Sequence, residues 1–443
     1  MFKGARSFNF IARRRAALVI ICLFASMTTS RVISMAQNEQ AKDGRYYESL
    51  ALKAYQAKDY TAFLENMKLA AAMRPNHPRV MYNLADAYAM TGHHAEALRQ
   101  LGRMAEMGLV FAAEKDSDFD SIKDSPAFQL MLQTVERNRA PVINSVPAFS
   151  LREKGFIPEG IAYDPAQETF YLGSVYQRKI VSVNKRGEAA VFATERDGLW
   201  SVMGMKVDAA RRLLWVATAA HPQMSNYREE ENGKSGLLKF DLRTGKLIKK
   251  YLLSNSLKAH WLGDLALNSR GDVFASDSIS PAIYTIPRQK DELEVFLESK
   301  LFVNPQGLDL TPDENHLFMA DYLTGVFVID LKTKRVANLA PAPRSTLFGL
   351  DGLYFYKGSL IGVQNGIAPP RVVRLFLSSD LTSVKRLEVI EANNPVFDEP
   401  TLGVLVKDHF YLIANSQWGM IDKKGQMAEA DKLKDPIALK IKL

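Results

Sequence analysis

The chain has 443 residues, of which 47% are hydrophobic and 24% charged. Those values belong to a folded globular protein and exclude a disordered, collagen-like or multi-span membrane chain. The net charge of +8 is no nucleic-acid signal, because residues 1–36 hold Lys3, Arg6, Arg13, Arg14, Arg15 and Arg31 without an acid and the rest is close to neutral.

Residues 1–36 read as an export leader. Arg13, Arg14 and Arg15 precede a mostly apolar run from Ala16 to Met27, and a small-x-small site follows at Ser34-Met35-Ala36. The run is shorter than the about 20 residues of a membrane span, so membrane association requires an uncleaved leader. The one cysteine, Cys22, lies inside it. The mature chain therefore has no thiol chemistry, no disulfide and no cysteine-ligated metal. A periplasmic or secreted bacterial protein is expected.

Residues 44–138 have helical spacing. Ala54-Tyr55 through Tyr60 and Ala87-Tyr88 through His93 repeat with an offset of 33 residues, close to the 34 of a tetratricopeptide repeat. Pro75 and Pro78 separate the copies, as proline does at helix ends. The segment resembles tetratricopeptide repeats, which implies a groove for a protein partner; the plainer reading is a helical cap packed on the next domain.

From residue 150 to 443 the period changes to two. One phrase, a Gly-containing turn leading into two strands, recurs six times. Its leading positions are Glu159, Met203, Gly263, Gln306, Asp351 and Leu402, spaced 43 to 60 residues apart. Four strands per such unit, repeated radially, predict a six-bladed β-propeller, so the chain is mainly β with an N-terminal α-helical domain. The leading positions form one ring around the central channel. A second ring comprises Ser174, Thr218, Asp277, Asp321, Gln364 and Asn415. Carboxylates and an amide without thiolate suit a hard cation such as Ca²⁺, whereas aspartates of this kind also serve to bond turn amides.

Pro158-Glu159-Gly160, His260-Trp261-Leu262-Gly263-Asp264 with Arg270-Gly271-Asp272, and Pro305-Gln306-Gly307-Leu308 with Pro312-Asp313 resemble the gluconolactonase/luciferin-regenerating-enzyme/senescence-marker family of six-bladed propellers. The resemblance implies a channel cation, Ca²⁺ or another divalent ion, held by one Glu, two Asn and one Asp, which polarises a lactone carbonyl and activates water. Glu159 matches the glutamate and Asp351 the aspartate. Gln306 replaces one asparagine, and Gly263 stands at the other without a side chain, leaving water or Asp264 to complete the set. His221, which superficially resembles a paraoxonase-like position, and His260 are the candidate bases. Two functional readings follow. One is a metal-dependent hydrolase of lactones, esters or sugar-acid-like ligands. The other is a non-catalytic scaffold with a ligand- or protein-binding mouth and partner-binding helices. No nucleic acid is expected as a partner.

Overall fold

The computed structural model describes residues 43–253 and 258–443, and the leader assigned to residues 1–36 lies outside the described residues. Five helices come first: α1 (Gly44–Gln56), α2 (Tyr60–Met73), α3 (Pro78–Met90), α4 (His94–Glu106) and α5 (Pro126–Asn138). Their starts follow from side chains that accept orphan amides. Asp43 caps α1, Asp59 caps α2 and Ser125 caps α5, while proline opens α3 and α5. Successive helices pack on one another. Small residues such as Ala85, Ala97 and Ala105 let α3, α4 and α5 approach around Phe119, Phe128 and Leu101.

The remaining chain forms six four-stranded antiparallel sheets, the expected propeller. The innermost strands are Pro158–Asp164, Ser201–Asp208, Leu262–Leu267, Pro305–Leu310, Leu350–Tyr356 and Gly403–Val406, which are the six phrases read from the sequence. Being covered on both faces, the inner and second strands are almost continuously buried, whereas an outer strand such as Leu247–Leu253 is largely exposed. The sixth sheet is a clasp. Strand Ser145–Ser150 pairs with the C-terminal strand Ile437–Lys442, so both ends of the propeller close one blade. The propeller thus begins at Ser145, ahead of the expected residue 150, because that strand completes the last sheet. Closure removes the open edges that a row of blades would present.

The helices dock on blades four and five. Arg74 donates to the Leu323 carbonyl at 2.9 Å, and the His77 ring meets Phe348 edge-on. The Val110 amide donates to Ala368 at 2.7 Å. Arg371, 2% exposed, spans the junction by donating to Gln364 and to the Met107 carbonyl.

Candidate functional site at one end of the channel

Five of the inner strands shift register at their first residues: between Pro158 and Ile161, Val202 and Met205, Leu262 and Asp264, Pro305 and Leu308, and Leu350 and Leu353. A bulge leaves its extra residue unpaired and bends the strand. Glu159, Met203, Gly263, Gln306 and Asp351 occupy these bulges and turn away from the sheet ladder. The neighbouring glycines let the blades meet. A β-carbon on Gly160 would overlap the Met203 carbonyl oxygen, and one on Gly307 would overlap that of Asp351. Pairing of Pro158 with Ser174, Leu262 with Asp277 and Pro305 with Asp321 puts both predicted rings at the same end of the propeller.

The two rings do different work. Second-ring side chains bind the loops that feed the inner strands. Asp277 accepts the Trp261 and Ile279 amides, Asp321 accepts those of Val303, Asn304 and Leu323, and Gln364 donates to Thr346 and Phe348. The first ring holds the acids. Glu159 is buried, and its Oε2 accepts the Trp418 indole N–H at 2.7 Å. Asp351 accepts the Asn365 amide at 2.7 Å, and Asn365 is itself fixed by Tyr322 at 3.0 Å and by the Pro400 carbonyl. Neither acid makes an ion pair with a basic side chain among the described residues. Burial, then the charge of Asp351 and that of Glu399, raises the Glu159 carboxyl well above its ordinary range. Burial, with Asp264 and Glu399 adding to it, pushes Asp351 up to about 7. Glu159, Asp351 and Glu399 are therefore three mutually repelling acids at one end of the channel.

Beside Glu159 stands an aromatic wall. The His221 ring stacks on Trp261 at 4.4 Å and on Trp418 at 5.6 Å between centroids. Its Nδ1 accepts the Gln223 amide at 3.3 Å, an assignment that leaves the ring proton on Nε2. That Nε2 is buried without a partner. Burial holds the imidazole down to about 4, so it is neutral at pH 7. His260 is placed differently: its Nδ1 lies 2.6 Å from Asp277, behind the loop that carries Trp261. The structure brings His221, not His260, within one ring of Glu159.

Gln306 keeps its amide near the position where Gly263 lacks a side chain. Its oxygen accepts the Ser278 hydroxyl at 3.3 Å and its nitrogen donates to Asn304 at 3.1 Å. A β-carbon at Gly263 would strike Ser278 Oγ and come within 3.5 Å of the Gln306 oxygen, so Ser278 and Gln306 together fill the space of the expected asparagine. Further along the inner strands, Lys206 lies over the Tyr354 ring at 4.7 Å. Its charge opposes the effect of burial on Asp264, whose carboxyl rises to about 6, and on Asp309.

Sequence reasoning missed Glu399, Tyr322 and Asn365, which stand on loops outside the repeated phrase. Trp418, likewise outside the repeated phrase, is a further such residue, its indole donating to Glu159. The phrase Glu399-Pro400 ahead of the sixth copy echoes Pro158-Glu159 and was the one available signal.

The donor chemistry fits a hard divalent cation in charge and in element: two carboxylates, Glu159 buried and Asp351 half-buried, lack a countercharge, and an amide oxygen belongs to the same ring. Among the described residues no three His, Cys, Asp or Glu side chains stand in a metal-holding arrangement. Backbone oxygens and water would have to complete the shell, as Ca²⁺ accepts.

No family model matches the chain, and no curated protein matches it. Among solved structures, a putative glucose dehydrogenase from Thermus thermophilus is 13% identical, with 67% of this chain and 99% of that one covered and a TM-score of 0.48. A gluconolactonase from Xanthomonas campestris is 14% identical, with coverage of 68% and 100% and a TM-score of 0.44. A virginiamycin B lyase from Staphylococcus aureus is 13% identical, with coverage of 68% and 99% and a TM-score of 0.44. These similarities leave the chemistry to the chain's own residues.

Proposed function

We propose that the acidic end of the channel is a divalent-cation site at which a lactone or ester is hydrolysed, with Glu159 and Asp351 as the protein ligands and Gln306 contributing its amide oxygen. The observation that carries this reading is the pair of mutually repelling carboxylates, Glu159 buried and Asp351 half-buried, held in place by Trp418 and Asn365 without a basic partner among the described residues. A bound cation such as Ca²⁺ would supply the missing positive charge, polarise a carbonyl and acidify a water. The remaining roles fall to this chain. Trp418 and Asn365 orient the two acids. Trp261 and Trp418 give the substrate an apolar wall that excludes bulk water. His221, neutral and protonated on Nε2, donates to a substrate oxygen rather than removing a proton. His260, locked to Asp277, positions the loop bearing Trp261. We further infer a place outside the cytoplasm, where the chain beyond residue 36, which carries no cysteine, needs no reducing environment.

The test is turnover of sugar-acid lactones and aryl esters by the full chain in chelator and in millimolar Ca²⁺, Mg²⁺, Mn²⁺ or Zn²⁺. Cation-dependent turnover abolished by Glu159→Gln supports the reading. Absence of turnover with every cation refutes the hydrolase and favours the second reading, a non-catalytic ligand-binding propeller. Gly263 favours that second reading, because it supplies no ligand where the resemblance implies one.

A further inference from the structure

Three loops at the acidic end of the channel cradle Asp351, and each of them is also a docking point for the helices. The first follows the second strand of blade four, the second leads into blade five, and the third follows the second strand of blade five. Tyr322, on the first, donates to Asn365 on the third at 3.0 Å, and Asn365 donates to Asp351 at 2.7 Å. Gly349, on the second, ties the other two together: its amide donates to the Tyr322 carbonyl at 2.9 Å and its carbonyl accepts the Gly366 amide at 3.0 Å. A β-carbon on Gly366 would lie 2.6 Å from the Tyr322 ring, so the loops meet without slack.

The docking contacts fall beside these residues in the chain. Arg74, the C-cap of α2, donates to the carbonyl of Leu323, next to Tyr322. The His77 ring meets Phe348, next to Gly349. Arg371 donates at 2.8 Å to Gln364, next to Asn365, and at 3.1 Å to the Met107 carbonyl just past α4. The guanidinium of Arg371 is buried with no carboxylate paired to it among the described residues, and its Nη2 has no partner. Such a charge is costly to bury, and an apolar side chain would fill the space at less cost; what the arginine adds is a directed bond to each side of the junction. Gly108, at φ +76°, leaves room for it, since a β-carbon there would come within 3.1 Å of Nη1. The other acid is held differently. Glu159 accepts from Trp418 and Ser416 on the loop spanning 414–436, and among the described residues no hydrogen bond or ion pair joins a helix to that loop.

On the reading of the acidic end as a cation site, on which this inference rests, we propose that Arg74 and Arg371 are positioning residues. They fix the helices to the three loops, hold Tyr322 and Asn365 in place, and through them set Asp351. The helical domain is thereby a working part of one half of the site and not of the other.

The experiment has two arms. Calorimetric titration of the full chain with Ca²⁺ compares wild type with Arg371→Met, which keeps the bulk and removes the donors, and with Arg74→Met. Affinity lowered about tenfold or more is expected. Urea unfolding in chelator then takes Arg371→Met alone and combined with Asp351→Asn or with Glu159→Gln. A loosened cradle lets Asp351 relax, so Asp351→Asn should stabilise less in the Arg371→Met background, by about threefold or more in the folding constant. The effect of Glu159→Gln should change by less. Should Arg371→Met fail to fold, Arg74→Met carries the same expectations. Unchanged Ca²⁺ affinity, or coupling of Arg371 to Asp351 no larger than its coupling to Glu159, overturns the proposal. Should wild type bind no Ca²⁺, the cation reading falls, and the two double-variant cycles alone decide the positioning.

Discussion

Replacing Asp351 by Asn removes one charge from the acidic end of the channel and almost nothing else, because the new side chain still offers an oxygen to Asn365 at the 2.7 Å position. The carboxyl rises from its ordinary 3.8 to about 7 in the folded protein, chiefly through burial. Between those two pH values the folded state binds the proton that the unfolded state has released. Stability therefore falls as pH rises through this window, and the deficit is complete above about 7. At 1.36 kcal/mol for each factor of ten in proton affinity, it amounts to about 4 kcal/mol. Asp351→Asn is thus expected to be more stable than wild type by up to this amount at about pH 8.5, and nearly equal to it at about pH 4. Urea unfolding in chelator at the two pH values reads the difference directly. In Ca²⁺ at a hundred times its dissociation constant, wild type should recover about 2.7 kcal/mol at the higher pH and the variant should not. A variant no more stable than wild type at pH 8.5, or equally stabilised at both pH values, would falsify the claim that an uncompensated charge is stored there.

Trp418→Phe deletes the indole donor to Glu159 while keeping the ring. It should cost about 1–3 kcal/mol. The bond favours the ionised acid, so the loss should deepen with rising pH, as urea melts at acid and alkaline pH will show. Gly160→Ala forces a methyl into the Met203 carbonyl where blades one and two meet. A destabilisation of about 2 kcal/mol or more is expected, visible as a lower denaturation midpoint, whereas Gly187→Ala, on an open turn with nothing near its β-carbon, should lose only what its left-handed backbone costs.

The blades were legible because each repeats the same turn and two strands, and a sixfold repetition is stronger than any single strand signal. The clasp was not: strand Ser145–Ser150 has no repeated neighbour, and its partner lies almost the whole propeller away in sequence. Within the candidate site, Glu159 and Asp351 were readable as homologous ring positions, and the bulges explain why those positions leave the sheet. Tyr322 and Asn365 stand one residue past the second-ring positions Asp321 and Gln364, just where the repeated phrase ends and side chains cease to alternate, and Glu399 lies on the loop ahead of the sixth copy, where only its echo of Pro158-Glu159 marks it. The tautomer of His221 depends on the Gln223 amide and its burial on contact with two tryptophans from distant blades, which no spacing discloses. Gly263 looked like a missing ligand; in space, Ser278 and Gln306 occupy its side-chain volume.

The clasp also decides how the molecule bears mechanical load. Ser145 faces Ile441 and Ser150 faces Ile437, so the chain enters and leaves the last blade at the same end. Tension between the helices and the C-terminus would open that pair one rung at a time, like a zipper, rather than shear all its rungs together. The helices stand in the way. The load path from α3 and α4 first meets the contacts of Val110 with Ala368 and of Arg371 with Met107. The amides of Asn144 and Ser145 are in turn anchored on Glu391 of blade five. A pull on the N-terminal helices is thus shared with blades four and five before it reaches the seam, and whatever loosens the helices from those blades would turn a closed ring into one that peels.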